Sequence, residues 1–378
     1  MIFLFIVPVM TSWLVCFGLV FFKHTHQHIS SDYVNSGPQK MHHGATPRIG
    51  GLPVICGLLA GLLVLYFGES HLNTQLFVLT LLPVWLAGMT EDLTKKVSPL
   101  KRLLAAFFAA LLGMYLLDAK LVRLGVPLLD HLVTNYIVFN ALLVMLAVGG
   151  ITHATNIIDG FNGLSGGVVV LILSALGFVS YQVNDTLLLG LCIATIGATI
   201  GFLCWNYPKG TIFAGDGGAY LWGFVIAEIC MMLVYRNPSV SPWFPLLLVI
   251  YPVWETVFSI YRRKVLRGVP AGLPDALHLH SLVYKRVVRY RVGSKKPEHM
   301  LKRNSLTAPY LWGMASLAII PGLFFWSNTS MVLALIAMFI LCYCTFYAMI
   351  VRFRIKRWMT VGGESALDSD EPEAKSNV

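Results

Sequence analysis

Residues 331–351 read MVLALIAMFILCYCTFYAMIV, without one charged side chain and with no polar face at helical spacing. A helix needs about 20 such residues to cross the hydrocarbon core of a bilayer. A strand of a transmembrane barrel would instead alternate polar and apolar positions, and this stretch does not. Comparable runs recur at about 2–22, 51–68, 76–90, 103–117, 136–153, 164–182, 186–205, 217–235, 243–261 and 310–327. The sequence therefore predicts an all-α, polytopic transmembrane helical bundle of about eleven spans. The run at 76–90 is short and carries Pro83. Residues 1–358 form one integral membrane domain in this reading, and residues 359–378, with five acids and hardly a large apolar side chain after Leu367, form a disordered cytoplasmic tail.

Composition supports the same class. Hydrophobic residues make up 57% of the 378 and charged residues 12%, which excludes soluble multidomain, secreted, collagenous and wholly disordered proteins. The seven cysteines are odd in number and lie inside apolar runs, so neither a disulfide framework nor a zinc framework is indicated. Residues 2–22 lack a basic leading region and a small-residue cleavage site, and they read as a first span rather than a signal peptide.

Lys and Arg set the orientation. With the amino terminus outside, 25 of the 28 fall in inner loops, leaving only Lys120, Arg123 and Arg236 outside. The carboxyl terminus is then cytoplasmic. The net charge of +10 is explained by the membrane rather than by nucleic acid.

Five polar stretches sit at the inner ends of the spans. Thr46-Pro47-Arg48-Ile49-Gly50-Gly51 follows Lys40, His42 and His43. It reads either as a turn with a snorkelling cation or as a close backbone approach with Arg48 facing a phosphate. Glu91-Asp92 are either solvated acids at a helix end or a pair that holds Mg²⁺ or takes a proton from a phosphate, with Lys101 facing an anionic substrate. Asn156-Ile157-Ile158-Asp159-Gly160-Phe161-Asn162-Gly163-Leu164 offers backbone and amides to a ligand, and Asp159 between apolar neighbours needs a partner. Phe213-Ala214-Gly215-Asp216-Gly217-Gly218 places a carboxylate between glycines, suited to Mg²⁺ carrying phosphate oxygens. Gly-x-Gly-Asp is also an intramembrane protease signature, but it requires glycine where this chain has Phe213. The fifth stretch, from Arg262 to Pro309, holds Asp275, His278, His280 and Ser281 amid twelve cations. Its histidines suit a pyrophosphate better than zinc, and Ser281 to Val292 reads as a segment lying on the anionic leaflet.

Taken in order from about Lys40 to Tyr284, these stretches resemble the polyprenyl-phosphate N-acetylhexosamine-1-phosphate transferases, glycosyltransferase family 4. That family includes phospho-N-acetylmuramoyl-pentapeptide transferase and the UDP-GlcNAc enzymes that initiate O-antigen synthesis. Thr46 to Gly51 is similar to its Pro-Thr-Pro-Arg-x-Gly-Gly, Glu91-Asp92 to an Asp-Asp pair, Asn156 to Leu164 to Asn-x-x-Asp-Gly-x-Asp-Gly-Leu, and Phe213 to Asp216 to Phe-Met-Gly-Asp. Pro252 to Thr256, Arg262-Arg263 and His278-Leu279-His280 resemble its ninth span and His-Ile-His-His loop. Three positions depart: Glu91 and Asn162 each replace a family aspartate, and Ser281 stands where the UDP-GlcNAc branch has a further histidine.

The resemblance implies that a polyprenyl phosphate, undecaprenyl phosphate in bacteria, attacks the β-phosphorus of a UDP-N-acetylhexosamine in the bacterial inner membrane. UMP leaves, and a lipid diphosphate sugar remains. By the same resemblance Asp216 is the Mg²⁺ ligand, helped by Asn156, with Mn²⁺ the alternative ion. Asp92 accepts the proton of the lipid phosphate or orients it, with Glu91 in support, and Asp159 with Asn156 organises nucleotide and metal. Gly160 and Asn162 belong to the nucleotide loop, Phe213 stacks on uracil, and Arg48, Lys101, His278 and His280 contact phosphates. Membrane lipid is a partner, nucleic acid is not, and a homo-oligomer is compatible with the pattern. The competing reading is a transporter for an anionic metabolite. It would place polar groups in mid-span, whereas Glu228 and Glu255 are the only acids well inside the spans and the densest polar stretches sit at the inner ends.

Overall fold

A computed structural model describes residues 1–25, 31–32, 46–68, 71–268, 275, 277–288 and 297–352. The order is α1 (Ile2–Phe21), β1 (Ser31–Asp32), β2 (Thr46–Pro47), α2 (Gly51–Gly68), α3 (His71–Thr94), α4 (Pro99–Leu116), α5 (Pro127–Asn135), α6 (Ile137–Ile157), α7 (Leu164–Gln182), α8 (Thr186–Asn206) and α9 (Gly215–Arg236). Then follow α10 (Phe244–Leu248), α11 (Ile250–Tyr261), α12 (Leu279–Leu282), α13 (Pro297–Phe325) and α14 (Thr329–Val351). Among the described residues, ten of these helices are long and apolar enough to cross a membrane. The protein is a multi-pass helical bundle, as the apolar runs predict.

The expected spans map onto these helices with instructive differences. The short run at 76–90 belongs to a helix that continues through Pro83 over His71–Thr94. Proline is tolerated there because packed neighbours in a membrane protein can satisfy the freed carbonyl. The run at 243–261 is broken into α10 and α11, so it is not one of the ten long helices. Pro252, in the first turn of α11, has no N–H to give the Leu248 carbonyl, and the chain kinks at Val249. Of the stretch from Ser281 to Val292 expected to lie on the leaflet, Leu282, Val283, Val287 and Val288 are buried in the bundle, and residues 289–292 lie outside the described residues. Tail residues 359–378 and Lys40, His42 and His43 lie outside the described residues.

The bundle is organised around α9, which is buried along its whole length from Gly215 to Val234 and touches α2, α3, α4, α6, α7 and α8. A helix apolar all round is expected at such a centre. An outer layer packs on that core: α1 lies against α2 and α8, α13 against α7, and α14 against α13 and α10. Because crossings alternate, the end of α3, the start of α4, the end of α6, the end of α8 and the start of α9 share one end of the bundle. At the opposite end Asp185 caps α8 and receives Arg236 Nε at 2.6 Å, while Arg123 Nη2 donates to the Val240 carbonyl at 2.6 Å.

Candidate active site

Two backbone segments lock together to build the site. Phe213 N–H donates to the Pro47 carbonyl at 2.9 Å, Gly50 N–H to the Phe213 carbonyl at 2.8 Å, and Gly51 N–H to the Ala214 carbonyl at 2.9 Å. This pairing sets Arg48 beside the first turn of α9. Helix α3 approaches the same turn so closely that a Cβ at Gly88 would stand 2.7 Å from the Cα of Gly217. Gly215, at φ +69°, makes the left-handed step into α9, and a Cβ there would meet the Asp92 carboxylate.

At this meeting point two carboxylates are buried. Asp92, 2% exposed, accepts the N–H groups of Asp216 at 2.8 Å and Gly217 at 2.7 Å. It therefore caps α9 from a different helix and lies at the positive end of that helix's dipole. Asp216, 4% exposed, accepts Arg48 Nη2 at 2.8 Å and Asn156 Nδ2 at 3.1 Å through Oδ1, while Arg102 pairs with its Oδ2. Arg48 also reaches Asp92, Nε to Oδ1 at 3.7 Å. A buried carboxylate is stable only when paired and hydrogen-bonded, and this arrangement supplies both.

Arg102 was not singled out by the sequence, and Lys101 was. The structure leaves Lys101 exposed and turns Arg102 inward, over the Tyr220 ring at 5.3 Å. Tyr220 Oη in turn lies 3.0 Å from His153 Nδ1. Helical phase explains the choice. Ala106, Ala109, Ala110 and Gly113 are the buried small residues of α4, and Arg102 continues their face while Lys101 does not.

The loop after α6 brings the next group. Asp159 is half-buried, and burial pushes its carboxyl up to about 7 against the lowering pull of Arg48. Gly160 is exposed and faces His280, whose Nε2 would be 3.2 Å from a Cβ at that position. Asn162 turns away from this opening: it is buried, its Nδ2 donates to the Pro208 carbonyl at 3.0 Å, and its N–H donates to Asn304 Oδ1 at 2.8 Å. Glu91 also serves the fold, accepting the Val97 N–H at 2.7 Å to close the turn into α4. Phe213 is half-buried beside the Arg48 segment.

The histidines form one wall. His278 and His280 stack at 5.2 Å with 15° between their planes, and Phe161 meets His280 edge-on at 5.5 Å. Burial lowers His280 to about 3, so it is a neutral imidazole at physiological pH. Arg262 pairs with Asp275 and donates to the Leu277 carbonyl at 2.8 Å, which fixes the approach to this wall. Burial raises the Asp275 carboxyl, but the Arg262 charge and the Leu277 N–H outweigh it and hold it below the usual range.

No group of three His, Cys, Asp or Glu side chains suited to a metal occurs among the described residues. The donor set nevertheless fits Mg²⁺, which keeps several waters and takes only one or two carboxylates plus substrate phosphate oxygens. Asp216 is such a carboxylate at a basic rim, and Asn156 is the side-chain amide beside it, its Nδ2 on Asp216 Oδ1 at 3.1 Å.

Comparison with known proteins takes in the part of the site that holds Asp92, Arg102, Asn156, Asp159 and Asp216. The model for glycosyl transferase family 4 matches residues 74–234. A probable undecaprenyl-phosphate N-acetylglucosaminyl 1-phosphate transferase of Bacillus subtilis is 29% identical over 249 residues, covering 64% of this chain and 66% of that protein. An undecaprenyl-phosphate alpha-N-acetylglucosaminyl 1-phosphate transferase of Yersinia pestis is 26% identical over 258 residues, 65% of this chain and 68% of that one. A phospho-N-acetylmuramoyl-pentapeptide-transferase of Clostridium perfringens is 27% identical over 206 residues, 52% and 64%. The chain thus spans about two thirds of the length of the curated relatives it matches.

The geometry gives Asp92 a measurable structural duty. Asp92→Asn turns an NH₂ toward one of two N–H donors and leaves it buried and unpaired, a loss of about 1–3 kcal/mol. Thermal unfolding in detergent should report a lower Tm. An unchanged Tm would mean that Asp92 does not hold the start of α9.

Proposed function

The chain belongs to glycosyl transferase family 4, and from that premise we propose that it transfers a sugar 1-phosphate from a UDP-N-acetylhexosamine to undecaprenyl phosphate. An oxygen of the lipid phosphate forms a bond to the β-phosphorus of the donor, the bond from that phosphorus to the UMP oxygen breaks, and UMP departs. The observation that carries this reading is the convergence of Arg48, Arg102, Asn156 and Asp92 on the first turn of α9 around Asp216. Two phosphate substrates repel each other, and a cationic, preorganised rim at a membrane-boundary helix end offsets that repulsion. Transport gains no support: the dense polar groups gather at one end of the bundle, and the relatives are transferases by name.

Each residue has a role in this reading. Arg48, Arg102 and the histidine wall orient phosphates, and Asp159 at the loop after α6 faces the nucleotide with Gly160. Asp92 keeps Asp216 in register and lies beside the position where the lipid phosphate would be oriented and lose its proton. Asp216 and Asn156 would hold Mg²⁺, which when bound supplies positive charge to the diphosphate oxygens. GlcNAc is the donor that best suits the His278-Leu279-His280 pattern. The product then initiates a cell-envelope polysaccharide, and the enzyme sits in a bacterial cytoplasmic membrane.

In purified enzyme with UDP-GlcNAc and undecaprenyl phosphate, UMP release should rise with Mg²⁺, and Asp216→Asn should lower it by about 10² or more, the scale of lost electrostatic stabilisation. Near-native release with an unchanged Mg²⁺ titration would remove Asp216 from this role. Orientation follows from the Lys and Arg bias, which places the site end of the bundle in the cytoplasm. Single cysteines in a cysteine-free background at the exposed Lys209 and Ser239 should label from opposite sides, Lys209 from the cytoplasm. Labelling from one side would contradict the topology.

A further inference from the structure

Helix α11 carries a carboxylate with no exposed surface and an unusual set of partners. Glu255 is 0% exposed. Its Oε1 lies 2.9 Å from His278 Nδ1 and accepts the Leu279 N–H at 3.1 Å, and its Oε2 accepts the Tyr343 hydroxyl at 2.7 Å. An oxygen that accepts a backbone N–H offers lone pairs to its other neighbour, so Nδ1 of His278 carries the hydrogen. Nε2 is then the atom left for the site, and it stands 3.9 Å from Asp275 Oδ2. The His278 ring stacks on His280, and His280 faces Gly160. A chain of contacts thus runs from the last helix to the nucleotide loop.

We infer that Glu255 is the positioning residue of this wall: it fixes the ring plane and the Nδ1–H tautomer of His278, and Tyr343 of α14 holds Glu255 in place. The inference deepens the transfer reaction proposed above and rests on His278 facing a substrate phosphate. Neither Glu255 nor Tyr343 falls in the segment matched by the family model, which ends at residue 234. A carboxylate buried only for packing would be costly without donors, and here the donors come from the histidine segment itself and from the far end of the chain.

A double-mutant cycle with a spectroscopic readout separates positioning from mere structure. Glu255→Gln should lower kcat/KM about tenfold or more, the scale on which a misplaced contact group costs rate. Combined with His278→Gln it should cost less than twofold further, because the two act through one contact. In ¹⁵N-histidine protein the His278 Nδ1–H resonance, assigned by its loss in His278→Gln, should move in Glu255→Gln. Losses that multiply in the double variant, or an unmoved resonance, would overturn the inference. The resonance needs no turnover, so failure of wild-type protein to release UMP would sink the reaction and leave the tautomer result standing. Should Glu255→Gln not fold, Tyr343→Phe carries the test, because it keeps the carboxylate and removes one donor. It should cost about fivefold, one hydrogen bond's worth, only where His278 is present. No loss, or an equal loss in the His278→Gln background, would overturn the inference.

Discussion

A carboxylate buried at the first turn of a buried helix is the constraint on which the rest of this molecule depends. Asp216 sits where α9 enters the bundle, and at that depth an ion without donors is untenable. The surrounding elements supply those donors: Arg48 from the segment before α2, Arg102 from the first turn of α4, and Asn156 from the last turn of α6. Asp92, from the last turns of α3, takes up the free N–H groups that the same helix start presents. Satisfying one helix terminus thus draws four other elements to a single point. The same arrangement gathers the guanidinium groups of Arg48 and Arg102 at one helix start.

Close packing at that point requires residues without side chains. Gly51 and Gly88 both face the backbone of Gly217, and any Cβ there would overlap it. In lipid, helices gain little by hiding apolar surface from one another, so small residues that let backbones approach carry much of the specificity of packing. The glycines flanking Arg48 and Asp216 therefore set how closely these elements approach one another.

Much of this was legible in the chain because it depended on local pattern. Continuous apolar runs located the membrane helices, and the polar stretches at their ends located Arg48, Asp92, Asn156, Asp159 and Asp216, which the structure gathers. What escaped depended on phase and on distant pairing. Lys101 and Arg102 are neighbours, and only the stripe of Ala106, Ala109, Ala110 and Gly113 reveals which of them faces inward. Glu255 stood out as a mid-span acid, but its partners His278 and Tyr343 come from separate elements that no local spacing connects. The alternating Val, Leu and cations after Ser281 looked amphipathic, yet tertiary packing buries Leu282, Val283, Val287 and Val288, and Arg286 caps the end of α14, Nη1 to the Val351 carbonyl at 2.9 Å. Asn162 matched a nucleotide motif by position, while its bonds tie the loop to Pro208 and Asn304.

The central claim is that the groups around Asp216 move a phosphosugar from nucleotide to lipid. The most direct measurement follows the β-phosphorus itself, in purified enzyme given UDP-GlcNAc labelled with ³²P at that atom and undecaprenyl phosphate. The account predicts that label passes into the organic phase as a lipid diphosphate sugar, with one UMP appearing in the aqueous phase for each lipid labelled. Label that stays in the nucleotide, or that leaves as a water-soluble sugar phosphate without the lipid acceptor, would contradict it.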